Sequence, residues 1–507
     1  MGLAMLRTMD WIVSLTPEVA EEPLAVLAQP PAGASLVELR ADLFEGLGLR
    51  AAISACPLPV LVTLRSAAEG GRGPEDPAAR RAVLEAARDA GAALLDLEAA
   101  RDGQLMEALG LAPEQVVLSW HDPAGTPADL AEIAGRLLES PARWVKVVPT
   151  ACGLADLMSV LELHPKFNGG ARKRRRLITF AMGTPGLASR YLAPLLGPPL
   201  GYAAWHEGAT AAPGQLTIAQ IESVISHLNG PPQRLYGVVG ADVSRSLSPV
   251  LHAAAYRGLG LPYLMVPVSV PDPSELAELF VPAGDTCFDR AGLPARGWAV
   301  TTPYKAEAAA TATLRAPRVK RAGAANTLVL NPGQVVAENT DADGIVGSLM
   351  SLGIDPQGRP ALVQGSGGAA RGAAVGLHLA GADVVLRSRD DSRAEAAADA
   401  IGVGWCAADA AAAADAILVN ATPLGSGPGE PGPFAEAEIT AAAAVVDMVY
   451  GDHETGLTAR ARELGIAVAD GRDVLLHQGV AQVAAFTQTV PPKEEMRAAL
   501  ARGANSE

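Results

Sequence analysis

Residues 94–149 read LLDLEAARDGQLMEALGLAPEQVVLSWHDPAGTPADLAEIAGRLLESPARWVKVVP. Three short aliphatic runs, Ala93–Glu98, Val116–Trp120 and Trp144–Val148, are separated by Ala/Leu-rich stretches of helical length. Strands that alternate with helices pair in parallel, because a parallel neighbour is reached only through a crossover. The same rhythm continues outward, with strands expected at Trp11–Leu15, Leu36–Arg40 and Val60–Leu64 upstream and at Leu177–Met182 and Tyr202–Trp205 downstream. Eight such units predict an α/β fold whose N-terminal part, residues 1–228, is a (β/α)8 barrel.

The stretch His227–Gln233 (HLNGPPQ) holds Asn-Gly and Pro-Pro and reads as a boundary. A second α/β pattern opens at Leu235–Gly240, and the strand Ala361–Gln364 runs into a glycine cluster and an Ala-rich helix. The second half is therefore expected to divide into an α/β domain over 234–345, completed by a C-terminal helix over 475–503, and a dinucleotide (Rossmann) domain over 346–474. The Ala-rich run Ala407–Ala414 is expected within a helix, alanine being the best helix former. After Thr489 the chain reads as a helix started by proline.

The whole chain has 507 residues, enough for about three domains, and its 49% apolar content with only 4% aromatics implies cores of Ala, Val and Leu. A net charge of −15 argues against a protein that tracks nucleic-acid phosphates. The one basic run, Arg172–Lys173–Arg174–Arg175–Arg176, reads as a solvated helix end or loop. Cys56, Cys152, Cys287 and Cys406 form no Cys-x-x-Cys and stand at no zinc spacing, so no metal site and a reducing compartment are expected. With no membrane-length apolar run and no signal-like N-terminus, the expected location is cytoplasmic, with small-molecule substrates and a monomer or homodimer.

Catalytic groups of such barrels gather at the C-terminal ends of the strands. Those ends carry Glu38, Arg40, Arg65, Glu98, His121, Lys146 and Met182. Lys146 sits inside WVKVV, where a charged, unpaired amine is costly. Desolvation lowers a lysine pKa, and the neutral amine then attacks a ketone. His121 is placed to move a proton beside the resulting imine, with Glu98 one strand further to orient it. The bland alternative is a core lysine paired with Glu98 beside a satisfied histidine.

The set Glu38-Leu39-Arg40, Thr63-Leu64-Arg65, Asp96-Leu97-Glu98, Ser119-Trp120-His121-Asp122, Lys146, Ala181-Met182-Gly183, Ser189-Arg190 and Ala212-Pro213-Gly214-Gln215 resembles type I 3-dehydroquinate dehydratase over about residues 8–226. The resemblance implies that Lys146 forms the imine, His121 acts as base and then acid, and Glu98 orients it. It further implies that Arg190 holds the carboxylate and that Ser14, Glu38, Arg40, Arg65, Met182 and Gln215 line the substrate. Ala211 stands where the family commonly has serine, so altered affinity is expected unless Thr210 replaces that hydroxyl.

In the second half, the turn Gly365-Ser366-Gly367-Gly368-Ala369 opens a helix, an arrangement that lets backbone N–H groups approach a pyrophosphate. About twenty residues on, a strand ends in Arg387-Ser388-Arg389, followed by Arg393. An acid at that place selects the NAD ribose, whereas arginine selects the extra phosphate of NADP, which is expected here; Asp390 and Asp391 follow closely. Ser246-Leu247-Ser248-Pro249 offers two hydroxyls to one carboxylate and a proline suited to a first helical turn, with His252 beyond. A lysine and an aspartate meeting in a cleft, such as Lys305 and Asp341, can move the proton that accompanies hydride transfer.

Together with Thr301-x-Pro303, Gly323-Ala324-Ala325-Asn326-Thr327, Asn420-Ala421-Thr422-Pro423, Asp447-Met448-Val449-Tyr450 and Gln478, these motifs resemble shikimate dehydrogenase over about residues 235–500. The resemblance implies a Lys305–Asp341 dyad and a substrate held by Ser246, Ser248, Thr301, Asn326, Tyr450 and Gln478. For the cofactor it implies Gly365, Ser366, Gly367, Gly368, Ala369, Ser388, Arg389, Arg393, Thr422 and Met448. Ala299, Ser366, Ser388 and Asp390 depart from the family's usual residues. The two resemblances imply consecutive steps of one pathway. Two rivals are a metabolite sensor that keeps the pockets and a quinate-catabolising enzyme using NAD; the four retained groups Lys146, His121, Lys305 and Asp341 argue against the first, the arginines against the second.

Overall fold

Residues 10–19, 22–44, 46–170, 175–198, 200–208, 210–212, 214–427, 429–451 and 453–502 are described in this computed structural model. In the first half, strands β1 (Asp10–Leu15), β2 (Ala34–Arg40), β3 (Val60–Thr63), β4 (Leu94–Glu98), β5 (Val116–Asp122), β6 (Trp144–Pro149), β7 (Leu177–Thr179) and β8 (Leu200–Ala204) form one sheet. All neighbours are parallel, in the order β7-β6-β5-β4-β3-β2-β1-β8, a nearly closed barrel. The register sets Ser14 beside Glu38 and Ser119 beside Lys146, so polar residues of adjacent strands reach one level. β7 stops at Thr179 rather than Met182; Met182 joins the sheet edge only through a bridge to Thr150, where Gly183 turns with φ 81°.

Arg172, Lys173 and Arg174 of the basic run lie outside the described residues. The rest of the run is not simply solvated. Arg176 donates to the carbonyls of Leu138, Ser140 and Ala142, and Arg175 to those of Leu196 and Gly197, each satisfying a helix C-terminus.

The second half holds two sheets. In the first, β9 (Arg234–Gly240) lies between β10 (Tyr263–Ser269) and β11 (Ala295–Val300), followed by β13 (Thr327–Asn331), β14 (Gln334–Glu338) and β12 (Leu314–Arg315). β13 is antiparallel to both its neighbours. In the second, β15 (Pro360–Gln364), β16 (Asp383–Arg387), β17 (Gly404–Cys406), β18 (Ile417–Asn420), β19 (Ala444–Asp447) and β20 (Ala467–Ala469) are all parallel, in the order β17-β16-β15-β18-β19-β20. This is the doubly wound order, with its switch point between β15 and β18.

Two local expectations are corrected. Ala407–Ala414 is not helical: Arg387 takes the Ala410 carbonyl and Glu438 the Ala412 N–H, contacts incompatible with helical pairing that override alanine's propensity. The single helix expected over 475–503 is two helices, Gly471–Thr487 and Lys493–Arg502, separated where Gln488 adopts φ 57°, and the second follows two prolines, in line with the proline-started helix read after Thr489. The first begins where the Asp470 carboxylate caps the N–H groups of Arg472 and Asp473.

One apolar core runs from the barrel into the β9–β14 sheet, joining for example Leu192, Ile221 and Val224 to Leu264, Val266 and Phe280. The β15–β20 sheet packs against its own helices, in a core that also takes in Ala322 and Ala324 from the neighbouring part. At the junction the helix Leu154–Phe167 has no side-chain cap of its own; Glu275, from the turn after β10, accepts from the N–H groups of Leu154 and Ala155 at 3.0 Å each. Among the described residues no helix is long and apolar enough to cross a membrane.

Two candidate active sites

The C-terminal ends of the barrel strands surround a cavity of about 150 Å³. Lys146, 5% exposed, places Nζ 3.7 Å from the Glu38 carboxylate, 3.9 Å from Asp96 and 4.0 Å from the centroid of the Tyr202 ring. Burial pulls the lysine below its usual range, aided by Arg65 and Arg40 and opposed by Glu38 and Asp96. Burial pushes the Glu38 carboxyl the other way, but Lys146, Arg40 and hydrogen bonds from Ser14 (2.6 Å) and Thr63 (2.8 Å) prevail and hold it below the ordinary value.

Burial, with Arg65, Lys146 and Arg40 nearby, keeps His121 far below the usual histidine pKa, so its imidazole is neutral. The carboxylate beside it is Glu69, whose Oε2 lies 3.1 Å from Nδ1 and accepts the His121 backbone N–H at 3.0 Å. With Nδ1 protonated toward Glu69, Nε2 is left as the base. Burial pushes the Glu69 carboxyl up to about 7, against the pull of Arg65.

The expected partner, Glu98, is not there. Its carboxylate accepts from the Ser66 N–H at 2.8 Å and pairs with Arg65 and Arg80, and it does not line the cavity. Glu69 lies in the turn Ala67–Glu69 after β3, four residues past Arg65, with which it pairs at 3.0 Å. Reading only strand ends passed over it; a charged residue in a βα loop at the catalytic face was the available signal.

Ser14, Glu38, Arg40, Arg65, Met182, Arg190 and Gln215 all line this cavity. Arg65 is held by Asp96, Glu69 and Ser119, and Arg40 by Asp42 at 2.7 Å. Arg190 stands 4.8 Å over the Phe180 ring, and burial draws its pKa down to about 10. Gln215 donates to Ser14 and accepts the Ala211 N–H at 2.8 Å, tying the expected lid to β1. Ala211 lines the cavity whereas Thr210 is exposed, and Pro213 lies outside the described residues.

The second cavity, about 540 Å³, lies between the β9–β14 and β15–β20 sheets. Lys305 Nζ donates to Asp341 Oδ2 at 2.6 Å, both residues buried. Ser246, Ser248, Thr301, Tyr450 and Gln478 line the cavity, as do Ala369, Thr422 and Met448. Asn326 does not line it: 1% exposed, it donates to Asp341 Oδ1 at 2.9 Å and accepts the Thr340 N–H. Gln482, passed over in sequence, does line it and donates to the Asn326 carbonyl and the Thr327 hydroxyl.

The glycine turn fits a dinucleotide pyrophosphate. Gly365 has φ 127°, and a Cβ there would lie 3.1 Å from the Ala421 carbonyl oxygen. Gly367 precedes the helix Gly368–Leu379 with nothing within 4 Å of a virtual Cβ, leaving the helix N-terminus open. A Cβ at Gly368 would lie 3.0 Å from Lys305 Cβ, so this helix abuts the Lys305–Asp341 pair. Ser366 lies within this turn. Past β16, Arg389 and Arg393 are exposed, while Arg387 is buried in a pair with Glu438 at 2.7 Å. Asp390 is engaged as a helix cap for the Arg393 N–H, and Ser388 bonds Asp390's backbone.

A parallel barrel with a buried lysine beside a neutral imidazole, joined to a dinucleotide fold with a lysine–aspartate pair, defines a two-headed enzyme, lyase first and oxidoreductase second. Comparison with known proteins agrees. Residues 11–231 match the family described as type I 3-dehydroquinase, and residues 238–328 the shikimate dehydrogenase substrate binding domain. The chain is 29% identical over 493 residues to the "Bifunctional 3-dehydroquinate dehydratase/shikimate dehydrogenase, chloroplastic" of Arabidopsis thaliana, covering 91% of this chain and 79% of that one. It is 37% identical to a "Shikimate dehydrogenase (NADP(+))" of Acidiphilium cryptum, covering 51% of this chain and 92% of that one. A "Shikimate dehydrogenase (NADP(+))" of Rubrobacter xylanophilus is 38% identical over 52% of this chain and 95% of its own. The chain belongs to the shikimate dehydrogenase family, with a type I 3-dehydroquinase as its first half.

Proposed function

We propose that the protein dehydrates 3-dehydroquinate to 3-dehydroshikimate in the barrel and reduces that product to shikimate in the second cavity with NADPH. The carrying observation is that one chain holds two separate proton-transfer constellations, Lys146–His121–Glu69 and Lys305–Asp341, each at a cavity of small-molecule size. The catalytic units are residues 1–228 and 234–503, the second comprising a substrate part, 234–345 with the C-terminal helices, and a dinucleotide part, 346–474.

In the barrel, the neutral Nζ of Lys146 attacks the substrate ketone; the C–N bond forms and the carbonyl oxygen leaves as water. His121 Nε2 takes a proton from the carbon beside the imine. The electron pair expels the ring hydroxyl, to which His121 returns the proton, so that a second water departs. Water then hydrolyses the imine and frees Lys146. Arg190 pairs with the substrate carboxylate, and Glu38, Arg40 and Gln215 face its hydroxyls.

In the second cavity, Ser246 and Ser248 hold the carboxylate, and Thr301, Tyr450 and Gln478 orient the ring. When bound, the reduced dinucleotide supplies the hydride. Lys305 donates a proton to the carbonyl oxygen as it becomes a hydroxyl, and Asp341, held by Asn326, keeps the ammonium in place. The N–H groups at Gly365–Ala369 would receive the pyrophosphate and Arg389 and Arg393 the 2′-phosphate, with Ser388 shaping that turn.

Incubation of the full chain with 3-dehydroquinate and NADPH is expected to give dehydroquinate-dependent loss of the NADPH absorbance. Lys146→Ala is expected to abolish that signal, with reduction of supplied 3-dehydroshikimate surviving. Silence of the parent protein with both substrates, or strong preference for NADH, counts against this assignment.

A further inference from the structure

Tyr202 of β8 is 6% exposed, and Lys146 Nζ lies 4.0 Å from the centroid of its ring. The charged and titratable surroundings of Nζ are Glu38 from β2, Asp96 from β4, Arg40 and Arg65 at the ends of β2 and β3, and His121 from β5. The carboxylates favour the ammonium, and the arginines and burial oppose it. An aromatic face attracts a desolvated cation through its quadrupole, so the ring joins the carboxylates in favouring the charged amine.

The Tyr202 side chain also borders a second, small cavity. Among the described residues, the Tyr202 hydroxyl, the Thr179 hydroxyl and His164 Nε2 are buried without a hydrogen-bond partner. All three residues line this cavity of about 10 Å³, room for one water. Phe180, Arg190 and Tyr202 form the wall between this cavity and the catalytic one.

We propose that Tyr202 is a positioning residue for Lys146, its ring holding the ammonium form and thereby setting the pH above which the lysine becomes the nucleophile. The inference rests on the assignment of Lys146 as the imine-forming group. The amine attacks only when neutral, so dehydratase kcat/KM rises with pH through the lysine's ionisation. Weakening the ring's hold lowers that ionisation and moves the rising limb to lower pH.

The test is the pH dependence of dehydration by the full chain, read as kcat/KM and as the rate of Lys146 labelling by a small imidoester. Tyr202→Phe keeps the ring, and its limb should superimpose on the parent's. A phenylalanine progressively fluorinated at position 202 keeps the shape but weakens the quadrupole, and Tyr202→Leu removes it. The limb should move down stepwise, by roughly 0.5–1 pH unit at the end of the series. A limb that stays put through the fluorinated series overturns the proposal, and that series decides the matter should the leucine variant fail to fold. Borohydride added with 3-dehydroquinate separates the two assignments. A trapped adduct on Lys146 with an immobile limb removes only the role of Tyr202, whereas no adduct in the parent removes both.

Discussion

Glu69 and Glu98 are both buried within reach of Arg65, yet only Glu69 touches the imidazole of His121. The two should therefore fail differently. Glu69→Gln is expected to lower dehydratase kcat by at least about 10²-fold through loss of a base-orienting charge, with reduction by the second head intact. Glu98→Gln is expected instead to cost roughly 1–3 kcal/mol of stability in denaturant unfolding, because Arg80 and Arg65 lose a buried counter-charge. Equal kcat losses in the two variants would contradict the observed geometry. At this scale the reactive groups themselves were legible, since a lysine amid WVKVV and a histidine at a strand end are conspicuous against an apolar background. Their partners were less so: which carboxylate turns toward which ring depends on how the turn Ala67–Glu69 folds back, and the barrel rhythm carries no information about that.

The elements divide in the same way. Parallel strands were legible because alternation with helices leaves few other pairings, and the glycine turn because a strand, a tight turn and a helix follow one another directly. Where long-range partners decide, local propensity misled: Ala407–Ala414 gives its backbone to Arg387 and Glu438. The helix Lys493–Arg502, by contrast, starts directly after the two prolines that announce it in the sequence. The glycine turn itself is a backbone requirement. Gly365→Ala is expected to raise KM for NADPH tenfold or more and to cost about 1–3 kcal/mol locally, since φ 127° is a conformation that a side chain resists. Initial rates at varied NADPH, with dehydration of 3-dehydroquinate as the internal control, measure it.

For the whole molecule, the contact made by Glu275 is the clearest tie between the two heads, because it caps a helix of the barrel from the other enzyme. A Cβ at Gly153 would meet its carboxylate at 2.9 Å, so the approach also depends on that glycine. Glu275→Ala is expected to remove roughly 1 kcal/mol of cap energy and to lower the barrel's thermal midpoint by about 2–4 °C. An unchanged midpoint would mean that water replaces the cap without loss. Neither this tie nor the shared core could be read from the chain, where His227–Gln233 has every mark of a simple linker. That core has a practical corollary for anyone dividing the gene. A cut between residues 228 and 234 would separate the two reactions but would run through a single apolar interior, stripping the helices Leu187–Leu196 and Ile218–Ile225 from β10 and its neighbours. Each fragment would then present a raw greasy face to solvent, and its solubility, rather than its chemistry, would become the quantity to engineer.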